Sequence, residues 1–192
     1  MALNLNSVSF DGRVGMAKRP PPYESPLRRY PEYTQAMGIL TIEIAALEMI
    51  MAESLAAILE VDVNTAEAIY LTPNGATVRV NILAHVAETR LVGFPHLLKK
   101  VNALVKRARA IFGKRDGLIH SAWLVHPTTK AVMTTKLGGR RSKTPPKLIS
   151  SEAINRVARD VGALFTEVVE LNGEIYSALK AWREKHPSPN RP

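Results

Sequence analysis

Residues 31–59 read PEYTQAMGILTIEIAALEMIMAESLAAIL, and the reading of this stretch decides the fold. Leu40, Ile44, Leu47, Met51, Leu55 and Ile58 recur at three- and four-residue steps, the repeat of one face of an α-helix. Pro31 suits the first helical position, where its missing N–H costs nothing and its φ is already set. Ile42, Met49 and Ile50 add apolar surface away from that stripe, so the helix is either central in a bundle or shared between a core and a partner subunit. Its most apolar part, Ala36 to Ala52, carries Glu43 and Glu48. A membrane span needs about twenty residues nearly free of such charge, so the stretch predicts a buried helix and no membrane partner.

Outward from this helix the pattern stays helical. Residues 1–30, with Pro20–Pro21–Pro22 and Pro26, have no periodicity and read as a flexible arm. Asp62 or Asn64 caps a short helix ending before Pro73, and Asn74–Gly75 marks a turn. Ala76 to about Leu91 forms a helix with Val78, Ile82, Leu83 and Val86 inward. Gly93–Phe94–Pro95 breaks the chain, and the next helix runs to about Phe112, where Gly113 suits the residue just past a helix end. Trp123–Leu124–Val125 and Ala131–Val132–Met133 flank a turn and predict a short β-hairpin. Residues 138–146 form a basic loop, and Ser150 or Ser151 caps a last helix to about Trp182, with Ile154, Val157, Val161, Leu164, Phe165, Val168, Ile175 and Leu179 inward. The expected fold class is all-α: an up-and-down bundle of about four to five helices over residues 31–182, with a short β-hairpin or loop insertion after residue 120 and a tail at 183–192.

A chain of 192 residues, 46% hydrophobic and 22% charged, predicts one globular domain rather than a disordered segment. The absence of cysteine excludes a disulfide framework, a thiolate metal site and a cysteine nucleophile. It fits a cytoplasmic location, as does an arm whose Asp11, Arg13, Lys18 and Arg19 interrupt any signal-peptide core. The net charge of +9 is unevenly placed. Residues 1–98 hold seven basic and ten acidic side chains and residues 148–192 hold six of each, while thirteen lysines and arginines from Lys99 to Lys147 face Asp116 alone. Such a segment attracts a polyanion, nucleic acid or another phosphate ligand, with Lys106, Arg109, Lys114, Arg140, Arg141 and Lys143 as candidate contacts.

No Walker loop, dinucleotide-binding glycine motif or His-Glu-x-x-His is present, and the histidines form no convincing metal set, so no cofactor or metal is expected. Three pairs share an Arg-x4–6-His spacing: Arg79 with His85, Arg90 with His96, and Arg115 with His120. The first pair sits about 240° apart around one helix, and the second is split by Gly93 and Pro95. Arg115 and His120 would lie about 140° apart on a regular helix, so a joint site needs a break there. With Gly113 ending one helix and Asp116 capping the next, His120 would occupy a first turn, where free amides and a positive field suit phosphate and favour neutral imidazole.

The segment Lys114–Arg115–Asp116–Gly117–Leu118–Ile119–His120 resembles the Arg-x4–6-His motif of the HEPN superfamily, in which a polar residue such as Asp116 often follows the arginine. The resemblance covers roughly residues 31–182 and implies metal-independent endonucleolytic cleavage of RNA to 2′,3′-cyclic phosphate and 5′-hydroxyl ends, in a toxin or defence setting. On it, His120 is the general base or acid, Arg115 stabilises the phosphorane-like charge, and Asp116 positions the turn. It also implies a homodimer with two Arg/His sets facing each other, which the breadth of the first helix would serve through residues 36–59 and those around His120. Glu43 or Glu48 could salt-bridge Arg115. A catalytically silent HEPN-like module binding RNA, nucleotide or a partner such as an antitoxin or nucleotidyltransferase, and a helical assembly protein with no phosphate ligand, are the other readings.

Overall fold

The computed structural model describes residues 26–136 and 145–186. A one-turn 3-10 helix, Pro26–Arg29, occupies the end of the expected arm and leads into α1, Pro31–Leu59. All six residues of the predicted stripe on α1 are buried. Glu60 closes the helix in a left-handed turn (φ 59°), its N–H returning to the Ala56 carbonyl.

In α2, Val63–Leu71, the Asp62 carboxylate accepts from the Thr65 hydroxyl at 2.5 Å and the Thr65 N–H at 3.0 Å. These bonds hold its pKa below the usual carboxylate range. Gly75, with φ +100°, turns the chain into α3, Ala76–Arg90. The inward face of α3 is Ala76, Val80, Leu83, Ala84 and Ala87, while Val78 is 47% exposed. Val78 was expected inward, but Val80 shares a face with the small alanines, and that face packs closer. The remaining helices are α4, Pro95–Ile119, and α5, Ser151–Lys185, with the Ser150 hydroxyl capping α5 at the Ala153 N–H.

Named contacts fix the directions of the helices. Tyr70 of α2 reaches back to Met51, so α2 runs antiparallel to α1. Arg109 of α4 meets Asn81 of α3, and α5 returns beside α4 through Lys100–Glu174, Arg107–Glu167 and Lys114–Asp160. Each helix reverses the last, which is the expected up-and-down order. Because α2 is short, α1, α3 and α5 run parallel, and α1 packs on α3 and α5 while α4 packs on the same two from the opposite corner. The core lies along their shared axis, with Leu40, Leu47, Leu55, Leu97, Phe112, Ile154 and Leu164 fully buried.

A three-stranded antiparallel sheet follows α4, where the sequence predicted at most a hairpin: β1, Ser121–Val125, β2, Val132–Lys136, and β3, Lys147–Leu148. Nothing marks β3 locally, since two residues carry no alternation. The sheet is tied to the start of α1. Tyr30 Oη donates to the Lys130 carbonyl, Tyr33 Oη to that of Ile149, and Trp123 Nε1 to that of Leu118. The Tyr30, Tyr33 and Trp123 rings meet edge to face at 6.2 and 6.3 Å, an arrangement that favours such pairs. No helix among the described residues is long and apolar enough to cross a membrane.

Candidate active site

The expected helix break is not there: α4 runs through Gly113, Asp116 and Gly117 without interruption. Neither glycine has an atom within 4 Å of where its Cβ would lie, and neither has a positive φ, so both simply continue the helix. His120 closes α4, its N–H bonded to the Asp116 carbonyl at 3.0 Å. It therefore sits at the negative, carbonyl end of the helix rather than at a phosphate-binding N-terminus, and the field argument made for it is reversed.

Arg115 falls in line with Val101, Val105, Ala108 and Phe112, the inner face of α4. Its side chain is 27% exposed, and its Nη1 donates to Asp116 Oδ1 at 2.7 Å. Its Nε is buried with no hydrogen-bond acceptor among the described residues. Asp116 thus holds the guanidinium instead of capping a helix. His120 is exposed, and its ring makes no hydrogen bond to any described residue. On a continuous helix the two side chains leave the axis about 140° apart, so one chain does not bring them to one point.

The other predicted residues are dispersed. Glu48 pairs with Arg79 of α3 at 3.1 Å, the side chains 15% and 19% exposed, and not with Arg115. Glu43 lines a groove between α1 and α5 with Ile39 and Arg159. Beneath the Glu48–Arg79 pair, burial chiefly, with the nearby carboxylate, raises the pKa of the Tyr70 phenol above its ordinary value. Lys114 pairs with Asp160 at 3.1 Å, and Arg109 gives Nε and Nη2 to Asn81 Oδ1. Lys106 stays exposed and makes no ion pair with a described residue. Arg140, Arg141 and Lys143 lie outside the described residues.

The charge argument changes accordingly. Lys100, Arg107 and Lys114, seven residues apart, meet Glu174, Glu167 and Asp160 on α5, so acids distant in sequence neutralise one side of α4. Lys99, Lys106 and Arg109 keep their charge on the outward side, and His120 lies at the end of that side. Sequence reasoning predicted the hairpin but missed its third strand, and it did not single out Lys130, Lys136 and Lys147, which are exposed around the sheet. The available signal was that no Asp or Glu occurs between Asp116 and Glu152.

The placement of α1 also separates two surfaces that the sequence reading joined. Gly38, Ile42, Ala45 and Met49 form an exposed stripe on α1, Ile42 being 70% exposed, and they point away from the core diagonally opposite the outward side of α4. One two-fold contact does not cover both. Among the described residues no group of three or more His, Asp or Glu side chains is placed to hold a metal ion. A scan against protein-family models finds no match, and searches of curated proteins and of solved structures find none either.

Proposed function

We propose that this chain is a HEPN-like, metal-independent endoribonuclease of the cytoplasm, toxin or defence related, in which Arg115 and His120 act on RNA. The observation that carries the reading is His120: an exposed imidazole without a partner among the described residues, at the end of a cationic helix side, five residues beyond an arginine whose guanidinium is held by its neighbour Asp116. In the reaction, the imidazole takes the proton of a ribose 2′-OH and the 2′-oxygen attacks the adjacent phosphorus. The bond from phosphorus to the 5′-oxygen breaks, leaving a 2′,3′-cyclic phosphate and, once that oxygen is protonated, a 5′-hydroxyl. Arg115 supplies charge-assisted donors to the phosphoryl oxygens as negative charge accumulates there.

The divergence of the two side chains favours a site shared with a second copy. The last turns of α4 offer a contact around Ala110, Gly113 and Gly117, exposed and small, beside His120. For a two-fold crossing there to set the Arg115 of one copy against the His120 of the other, the Arg115 side chain, 27% exposed, swings out from the inner face of α4, while Lys99 and Lys106 splay outward along the two helices.

One observation favours a second reading. Arg115 lies in line with core residues and is mostly covered, as a structural arginine would be. On that reading the module binds RNA, a nucleotide, an antitoxin or a nucleotidyltransferase without cutting. Incubation with RNA in EDTA separates the two. Cleavage that yields cyclic-phosphate ends, and that stops at a linkage whose 2′-OH is replaced by hydrogen, is the expected result. Intact RNA establishes the silent module.

A further inference from the structure

The end of α4 bears His120, and little in the helix itself keeps that end in place. Gly113 and Gly117 fall in its last two turns, and glycine is a poor helix former. A helix end also leaves its last four carbonyls without an N–H donor, and such ends fray. Here side chains of β1 supply two of the donors. The Ser121 hydroxyl donates to the Gly117 carbonyl, and Trp123 Nε1 donates to that of Leu118 at 3.2 Å. With the His120 N–H on the Asp116 carbonyl, three successive carbonyls are taken in order by residues 120, 121 and 123. Ser121 is buried, and its place two residues from Trp123 on β1 puts both on the side facing the bundle. The Trp123 ring meets Tyr33 of α1 edge to face, and Tyr33 Oη donates to the Ile149 carbonyl just ahead of α5. Through β1, the end of α4 is therefore braced against the starts of α1 and α5.

We infer that Ser121 and Trp123 are positioning residues, whose two bonds hold the last turn of α4 so that the His120 imidazole keeps one place beside the reacting phosphate. The inference rests on the ribonuclease reading for what His120 does, while the brace itself does not. The His120 ring makes no hydrogen bond to any described residue, so only the backbone that bears it sets its position. A misplacement of about 1 Å costs on the order of 10²-fold in rate, and a turn that frays cannot keep its last residue to that tolerance. Neither side chain is placed to touch RNA through its polar atom: the Ser121 hydroxyl is directed to Gly117, and Trp123 gives its N–H to Leu118. Each acts through His120.

The test compares the full chain with its Ser121→Ala and Trp123→Phe variants, each of which removes one donor and leaves the packing nearly whole. Single-turnover cleavage of a labelled RNA at saturating protein reads the chemistry. Fluorescence anisotropy with a 2′-O-methyl RNA, which cannot be cut, reads binding, and NMR reads hydrogen exchange at the His120 amide. Each variant is expected to cleave about tenfold more slowly with unchanged affinity for the uncleavable RNA. The His120 amide should exchange about tenfold faster, while Ala108 and Ile111, earlier in α4, keep their protection. Ser121→Thr, which retains the hydroxyl, should restore both readouts. Ile175→Val, a small truncation in the core beside the Lys100–Glu174 pair at the other end of the bundle, should move neither, which separates positioning from a general loss of stability. Parental cleavage in both variants overturns the inference, as does slower cleavage with His120 exchange unmoved. Should the parent cut no RNA, the ribonuclease reading falls by itself: faster exchange in both variants then keeps the brace, and unchanged exchange removes it as well.

Discussion

Arg115→Ala and His120→Ala should each lower the proposed RNA cleavage by about 10²–10⁴-fold, the usual cost of losing a positioned general base or its electrostatic partner. Single-turnover cleavage of a labelled RNA, with saturating protein, reads the effect on chemistry. The double variant should be no slower than the worse single one, because each residue is idle without the other. His120 is exposed and has no partner among the described residues, so its truncation should leave stability within about 0.5 kcal/mol of the parent. Arg115→Ala removes a half-buried side chain and frees Asp116, and a loss of about 1 kcal/mol is expected there. His85→Ala and His96→Ala, at the two other spacing matches, should cut normally. A His120→Ala protein that cleaves at the parental rate would sink the assignment.

Gly117→Arg is the second large effect. Arginine forms helix better than glycine by nearly 1 kcal/mol, and nothing lies within 4 Å of the position a Cβ would take, so the folded chain should gain stability. The long cationic side chain nevertheless stands where the two α4 ends would cross. The expected outcome is a more heat-stable monomer with cleavage at background, measured by light scattering, thermal unfolding and the RNA assay together. Ile42→Asp, on the far side of the bundle, should leave dimer and cleavage unchanged despite the 70% exposure of Ile42. Dissociation by Ile42→Asp and not by Gly117→Arg would move the interface to α1, where the Arg115 and His120 sets of two copies cannot face each other.

The helices could be read from the sequence because the long ones α1, α4 and α5 have a dominant stripe and Pro31, Asp62, Pro95 and Ser150 stand at four of the five beginnings, while the face of α3 was misjudged at Val78. Boundaries failed where glycine was taken as a stop. Gly113 lies on the exposed side of α4, where it loosens the helix without ending it, and the inner face continues through Phe112, Arg115 and Leu118 to carry the helix on to Ile119. That one error placed a helix-ending His120 in a first turn and reversed the field assigned to it. Charge failed for another reason. The partners of Lys100, Arg107 and Lys114 lie 74, 60 and 46 positions away, so a sum over neighbouring residues could not see them. The same sum did mark the acid-free run that folds into the sheet, but β3, two residues long, is created by pairing with β2 and has no pattern of its own.

The central claim is that Arg115 of one copy and His120 of another form one site. Mixing inactive Arg115→Ala and His120→Ala proteins, co-refolded so that subunits exchange, tests it most directly. Half of the resulting dimers are mixed, and each carries one site with both residues and one with neither, so about a quarter of the parental cleavage should return. Mixed dimers shown to form, by distinct tags purified in sequence, that still cut no RNA would contradict the shared site.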